Sequence, residues 1–404
     1  MRPSKRLIMG ETTSDNRAAT PAPNLYSRKN PFLAQLIGHE VLTQPGSEKE
    51  TRHFVIDLSG SGLTYTPGDS LGAFGRNPPG LIEEVLKLLE FDSACAVKDA
   101  KGQTKTLGEV LLSEYTLNRA NRKLMGGLAE RIPQGEQRNR LMEIVDNADV
   151  LSDYLHSRDY VDILKEFDEA RFESPEDFLS HLTPIVPRLY SIASSIQAHP
   201  NQAHVCIAIV RYETHGRAKK GLASGFFADD APQFVKNIPV YIQESRTFRL
   251  PKDNATNIIM CGPGTGVAPF RAFLQQRILE GASGKNWLIF GEQHRATDFL
   301  YGKEFLAYQQ QGKLHQLDLA FSRDQAHKIY VQHRMLEQAK ELWAWLQNGA
   351  YFYVCGDAKR MAKDVHQTLI EIAQKEGGLT PEAAAEYVNV TLMRNERRYL
   401  RDVY

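Results

Sequence analysis

The 404-residue sequence predicts an α/β multidomain chain: an antiparallel β-barrel carrying an inserted helical subdomain, followed by a doubly wound parallel sheet. Three observations predict it. Short strand-like runs sit close together at 53–58, 203–212 and 240–244, with turn signals such as Gly60-Ser61-Gly62 and Pro67-Gly68-Asp69 beside the first. The stretch between them, about 77–183, is mainly helical in pattern. Beyond residue 250, apolar runs at 257–261, 286–290, 314–321 and 350–355 recur at about the length of a βα unit.

Taken in order, residues 1–25 are polar, with Pro21 and Pro23 near the end, and are expected to be a disordered tail. Residues 26–250 form the barrel domain, where closely spaced strands suggest a small antiparallel sheet or barrel. Leu81, Ile82, Val85, Leu88 and Leu89 fall on one helical face and open the insertion. Residues 251–404 form the parallel-sheet domain. Its helical stretches end at Gly281, Gly312, Gly349 and Gly377, and glycine is the expected helix stop because it accepts the left-handed conformation. Ligands of such sheets bind at the carboxyl ends of the strands.

Composition removes several function classes. Lys+Arg and Asp+Glu are 49 each, so the formal net charge is zero. This argues against a nucleic-acid binder and against a polybasic membrane-surface protein. No run approaches the length of a transmembrane helix, and the first 24 residues lack the apolar core of a secretory signal. Cys95, Cys206, Cys261 and Cys355 are spaced without a C-x-x-C pair. Disulfide, zinc and iron–sulfur frameworks are therefore not expected, and a cytoplasmic protein is.

The strongest motif is Cys261-Gly262-Pro263-Gly264-Thr265-Gly266-Val267-Ala268-Pro269-Phe270-Arg271, between an apolar strand and a helix. Its glycines let the backbone approach a pyrophosphate, whose charge the helix start would hold. A plain strand-to-helix turn is the alternative, and the spacing departs from G-x-G-x-x-G. Ser322-Arg323 and Lys328-Ile329-Tyr330-Val331-Gln332 follow the third strand of this domain. Two cations, a hydroxyl and a phenol suit a ribose 2′-phosphate and an adenine, unless they form only a solvated loop. No acidic residue ends that strand, which favours NADP over NAD. Cys355 ends the fourth strand, either near a nicotinamide or as simple packing.

In the barrel half, Pro187-Arg188-Leu189-Tyr190-Ser191-Ile192-Ala193-Ser194-Ser195 offers a cation for a phosphate, a ring for stacking and a hydroxyl for a ring nitrogen. An ordinary alternating strand is the alternative. Gly221-Leu222-Ala223-Ser224-Gly225 is a second small-residue turn at a helix start. Two phosphate cradles imply two nucleotides, a flavin and a pyridine nucleotide. The terminal Arg401-Asp402-Val403-Tyr404 reads on its own as a frayed end.

Together these motifs resemble the ferredoxin–NADP reductase superfamily, most closely the diflavin reductases, and among those the flavoprotein subunit of NADPH-dependent assimilatory sulfite reductases. The resemblance runs from about Tyr26 to Tyr404. It implies FAD and NADPH as cofactors and hydride transfer from NADPH to FAD. Arg188, Leu189, Tyr190 and Ser191, with Cys206, Ile207, Ala208 and Tyr212, would contact FAD. Gly221, Leu222, Ala223 and Ser224 would cradle its pyrophosphate, Thr116 falls near an FAD-contacting threonine of the family, and Tyr404 would stack on the flavin. Gly264 and Thr265 belong to the nucleotide loop, while Ser322, Arg323, Lys328, Tyr330, Gln332 and Asp364 would hold NADP. Ser191, Cys355 and Asp402 match the catalytic group around the hydride path, and no metal is implied. Family members usually carry an N-terminal flavodoxin-like FMN domain, for which the residues ahead of Tyr26 are too few. The expected partner is accordingly an electron acceptor, either a sulfite reductase haemoprotein or a separate FMN or flavodoxin-like protein. A stand-alone NADPH–flavodoxin or ferredoxin reductase is the alternative, and a non-catalytic nucleotide-binding subunit is a further one.

Overall fold

The structure is a computed structural model and describes residues 25–233 and 238–404. The tail expected over 1–25 lies, but for Leu25, outside the described residues. Six strands form one antiparallel sheet: β1 (Phe32–Val41), β2 (Thr51–Asp57), β3 (Ser70–Ala73), β4 (Arg188–Ser191), β5 (Gln202–Ala208) and β6 (Ile238–Gln243). Their spatial order is β4-β3-β6-β1-β2-β5. The two end strands approach each other just past β4, through an isolated bridge between Ile192 and Val205. The run expected over 203–212 divides in two. β5 ends at Ala208, and a separate hairpin pairs Arg211–Thr214 with Arg217–Lys220.

Between β3 and β4 stand seven short helices, from Pro79–Leu89 to Pro175–Ser180, and two small two-stranded ladders, one a hairpin (Ala96–Lys98 with Thr104–Thr106) and one that pairs Tyr115–Thr116 with Thr183–Pro184. They enclose their own apolar core, including Leu111, Leu128, Ile163 and Phe178, so the segment packs as a body of its own. The first helix starts at Pro79 behind the N-cap Pro78, where proline suits the first position, and ends at Glu90 in the left-handed conformation.

The second half is a five-stranded parallel sheet of β7 (Ile258–Cys261), β8 (Asn286–Glu292), β9 (Gln316–Phe321), β10 (Tyr351–Gly356) and β11 (Tyr399–Val403), in the order β9-β8-β7-β10-β11. Alternate residues feed two cores. Ile259, Cys261, Ile289, Phe352 and Val354 face one, and Ile258, Met260, Phe290, Tyr353 and Cys355 face the other. Continuous apolar runs are what a sheet covered on both faces requires. The helix Met361–Gly377 after β10 is capped by Gly378 (φ 62°), one residue beyond the glycine expected from the sequence.

One expectation from the residues alone is overturned. The chain end is not frayed, because Tyr399–Val403 pairs parallel with β10, with Cys355 opposite Asp402 and Gly356 opposite Val403. A strand pairing so distant in sequence leaves no local signal, and only burial of Tyr399 and Leu400 fixes it.

Ala193 and Cys206 of the antiparallel domain pack in the same cluster as Phe248, Phe270 and Cys355, so one core spans both halves. Arg271 crosses this junction. Its Nη1 donates to the Ala193 carbonyl at 2.8 Å and its Nε to Glu304 at 2.7 Å. A largely buried cation with these two partners is expensive to remove, since the carboxylate is left unpaired. Arg271→Met should destabilise the protein by about 3 kcal/mol in urea unfolding, and adding Glu304→Gln should recover part of that loss. A loss below about 1 kcal/mol would mean that the junction is held by packing alone.

Candidate active site

The glycine loop after β7 opens as a short 3-10 turn, Gly264–Val267, and leads into the helix Ala268–Leu279. Gly264 has φ 58°, a conformation that costs a residue with a side chain. A Cβ on Gly266 would stand 2.1 Å from the Cys355 carbonyl oxygen, so only glycine lets the loop press against β10. Beside it lies a cavity of about 600 Å³ at the carboxyl ends of the strands. Gly264, Ser322, Arg323, Lys328, Tyr330, Gln332 and Asp364 all line it. Gln332 Nε2 donates to Asp364 Oδ2 at 3.3 Å, which joins the loop after β9 to the helix Met361–Gly377.

Lys49, Glu292 and Arg360 line the same cavity and carried no signal in the sequence. Lys49 comes from the loop between β1 and β2, and its Nζ meets both Glu292 oxygens at 2.7 and 2.8 Å. Glu292 ends β8, the strand next to the one whose lack of an acidic end favoured NADP. Asp357 caps the helix Met361–Gly377 by accepting from the Arg360 and Met361 amides, and those two bonds hold its carboxyl below the usual range.

At the junction of the two sheets, three side chains meet from three strands. Ser191 Oγ of β4 donates to Asp402 Oδ2 of β11 at 2.7 Å. Cys355 Sγ of β10 lies 3.8 Å from the same oxygen and 4.0 Å from Ser191 Oγ. Burial pushes the Cys355 thiol well up, and the nearby Asp402 carboxylate adds to the shift. The main chain of Tyr404 is fixed on both sides, its N–H donating to Gly356 and its carbonyl accepting from Ala358. Tyr404 as a residue remains 64% exposed, with its hydroxyl 3.0 Å from Thr265 Oγ1.

The remaining barrel-side residues lie on β4, on β5 and the hairpin after it, on the turn from Gly221 and, for Thr116, in the helical insertion. In β4, Arg188 and Leu189 are exposed, whereas Tyr190 leans on Phe227 edge-on at 5.9 Å. Gly221, Leu222, Ala223 and Ser224 start a helical turn whose N-terminus carries no side-chain cap. Ser224 Oγ accepts from the Val210 amide at 3.2 Å, placing that turn beside Ala208, Val210 and Tyr212. Its other side abuts β3, since a Cβ on Gly75 would meet the Leu222 carbonyl at 2.7 Å, and Ala73 of β3 pairs with Arg188. The cradle and Arg188 thus border one surface. Cys206 and Ile207 are buried, which leaves Ala208 as the exposed member of that trio. Burial raises the Cys206 thiol to about 12. Thr116 sits on a two-residue strand paired with Thr183–Pro184, and its hydroxyl is engaged by Asn118 at 2.7 Å.

These residues fit a flavin dinucleotide. Leu189, Val210, Tyr212 and Tyr404 are exposed apolar or aromatic side chains, a flat ring would cover them, and Arg188 with the uncapped turn suits a pyrophosphate. The comparisons agree. Residues 25–226 match the FAD binding domain model and residues 242–367 the oxidoreductase NAD-binding domain model. The chain belongs to the FAD binding domain family. The two matched regions make it an oxidoreductase with an FAD-binding half and an NAD-binding half. It is similar to the sulfite reductase [NADPH] flavoprotein alpha-components of Bacillus subtilis (43% identical, covering 98% of this chain and 66% of the relative) and Mannheimia succiniciproducens (46%, covering 94% and 62%). That of Neisseria meningitidis serogroup B is 42% identical, again over 98% of this chain and 66% of the relative. The chain thus spans a little under two thirds of the length of these relatives.

The raised thiols give a test. Burial keeps Cys206, Cys261 and Cys355 protonated through neutral pH, because their shifts are upward. At pH 8, iodoacetamide should label the partly exposed Cys95 first and the other three only on unfolding, as read by mass spectrometry. Native labelling of Cys355 as fast as Cys95 would contradict the assignment.

Proposed function

We propose that the protein is an NADPH-dependent FAD reductase that passes electrons to a partner. The proposed acceptor is a sulfite reductase haemoprotein or a separate FMN protein, serving the reduction of sulfite to sulfide. The observation that carries this reading is the convergence of Ser191, Cys355 and Asp402 within 4.0 Å, from both sheets, together with a 600 Å³ cavity at the glycine loop that gathers Lys49, Arg323, Lys328 and Arg360 among three carboxylates. No helix among the described residues is long and apolar enough to cross a membrane. A cytoplasmic setting is proposed on that basis together with the four free thiols. The antiparallel sheet is read as a barrel closed at the bridge between Ile192 and Val205.

When bound, FAD supplies a ring that takes a hydride from nicotinamide and gives up electrons singly. Arg188 and the turn from Gly221 to Ser224 hold the pyrophosphate of that cofactor, and Tyr190 and Tyr404 border its ring. Thr116, Ala208 and Tyr212 lie on the edge of this site, with Cys206 and Ile207 supporting it from the core. On the other side, Gly264 and Thr265 approach the nucleotide pyrophosphate. Ser322, Arg323, Lys328, Tyr330, Gln332 and Asp364 bind the adenosine end, with the cations on the 2′-phosphate. Ser191 keeps its hydroxyl proton directed to Asp402 Oδ2, leaving its oxygen oriented by a fixed partner. Asp402 favours the positive charge that develops on the nicotinamide as it is oxidised. The neutral Cys355 thiol packs against both and adds no competing charge. Tyr404 lies over the glycine loop, so the nicotinamide reaches this group only when the phenol swings aside.

Mixing the FAD-loaded protein with NADPH or NADH in stopped flow should bleach the flavin band rapidly with NADPH and far less with NADH. Equal rates would remove the 2′-phosphate reading. Ser191→Ala should slow flavin reduction about a hundredfold while FAD stays bound, the scale of one lost hydrogen-bonding group in an active site. Unchanged single-turnover kinetics would sink the role given to Ser191. Mixing the NADPH-reduced protein with a flavodoxin or with a haemoprotein, each followed at its own absorbance band, separates the two acceptor readings.

A further inference from the structure

The loop between β1 and β2 leaves the antiparallel domain and lies across the nucleotide cavity. It is fastened at one end, where the Gln44 amide donates to the Thr297 carbonyl at 2.8 Å and Ser47 Oγ donates to Asp298. From that strap Lys49 reaches down to Glu292, whose side chain is only 5% exposed. Glu48 reaches outward and takes Arg323 at 2.6 Å. A Cβ on Gly264 would stand 3.3 Å from Glu292 Oε1, so that carboxylate faces the glycine loop. The strap therefore delivers one cation to the floor of the cavity and one anion to a cation on its rim.

We propose that Glu48 is an internal competitor for the 2′-phosphate. Its carboxylate occupies Arg323 in the free protein and yields it when NADPH binds, while Lys49 cancels the Glu292 charge that would otherwise repel the nucleotide. The proposal rests on the reading that Arg323 binds the 2′-phosphate. The chemistry favours exchange. Both members of the Glu48–Arg323 pair are exposed, and pairs of that kind are weak and screened by water. A phosphate carries more charge than a carboxylate and offers three acceptor oxygens to the guanidinium fork, so it displaces the weaker anion. Lys49 differs, because Glu292 is almost buried and has few other ways to be neutralised. Nucleotides without the 2′-phosphate cannot displace Glu48, so the competitor weakens no binding but that of the 2′-phosphate itself.

The test measures binding by calorimetry on the FAD-loaded protein, with 2′,5′-ADP and 5′-ADP as the two probes. Glu48→Gln should tighten 2′,5′-ADP about two- to fivefold, the range an exposed ion pair supports, and leave 5′-ADP unchanged. Lys49→Met should weaken both probes, because the Glu292 charge is then uncovered beside the pyrophosphate loop, and Lys49→Met with Glu292→Gln should restore them. Unchanged or weaker 2′,5′-ADP binding in Glu48→Gln overturns the proposal, as does Lys49→Met without effect. Arg323→Ala reports on the underlying reading separately. If the preference for 2′,5′-ADP survives it, Arg323 is not the phosphate ligand. If the preference falls while Glu48→Gln is inert, Arg323 keeps its role and only the competitor fails.

Discussion

The hydrogen bond from Ser191 to Asp402 joins residues 211 positions apart and ties the antiparallel sheet to the parallel one. Its geometry depends on both sheets being placed correctly. Ser191 is the last residue of β4 and is registered against Ser70, while Asp402 is registered against Cys355 across a parallel pair. A slip of one residue in β11 would turn Asp402 away from β4 and point Arg401 or Val403 at it, since alternate residues face opposite sides. Pairing with β10, fixed in turn by the burial of Tyr399 and Leu400, therefore sets the chemistry at the junction. The Gly266 contact with the Cys355 carbonyl sets the other side by drawing the nucleotide loop against the same strand.

Much of this was legible in the sequence because it is local. Four parallel strands, the glycine loop and three of four helix stops follow from apolar runs and glycine chemistry, which act within a few residues. The residues that would hold the 2′-phosphate end could be named from one short segment, and all of them do line one cavity. What escaped reading is non-local. β11 has an ordinary polar terminal sequence and becomes a strand only through its partner. Lys49 and Glu292 are 243 residues apart and, taken singly, look like solvated charges. Cys206 is expected at the flavin only through the family resemblance, and its side chain lies in the core shared by both halves, a placement no local pattern announces.

Zero net charge concealed a strongly patterned site. The cavity gathers Lys49, Arg323, Lys328 and Arg360 against Glu292, Asp357 and Asp364, a nearly balanced set arranged at short range. Such a set contributes little to long-range steering, which sums over the molecule and is screened beyond about 8–10 Å at physiological salt. Its selectivity arises at contact, where which cation is already paired decides which remains for a phosphate.

The same logic of fixed partners extends below the site, where His53 and His204 lie buried between the halves. Burial depresses both, to about 3 and about 2, so each ring is neutral wherever the enzyme would work. Neutral rings must share donors in one consistent sense. His204 Nε2 donates to Gln202 Oε1 at 3.0 Å, which leaves its Nδ1 to accept from His53 Nε2 at 3.1 Å. His53 Nδ1 then accepts from the Tyr301 hydroxyl at 2.8 Å. Gln202 and the two histidines come from one half and Tyr301 from the other, so one chain of single-sense hydrogen bonds crosses the junction. Protonating either ring would add a donor where an acceptor is needed. The unfolded chain gains those protons below about pH 6.5 while the folded one refuses them until far lower, so this junction contributes its full stability above that pH and loses it progressively as pH falls. The alignment of Ser191 with Asp402 inherits that dependence, because the same junction holds the two sheets in register.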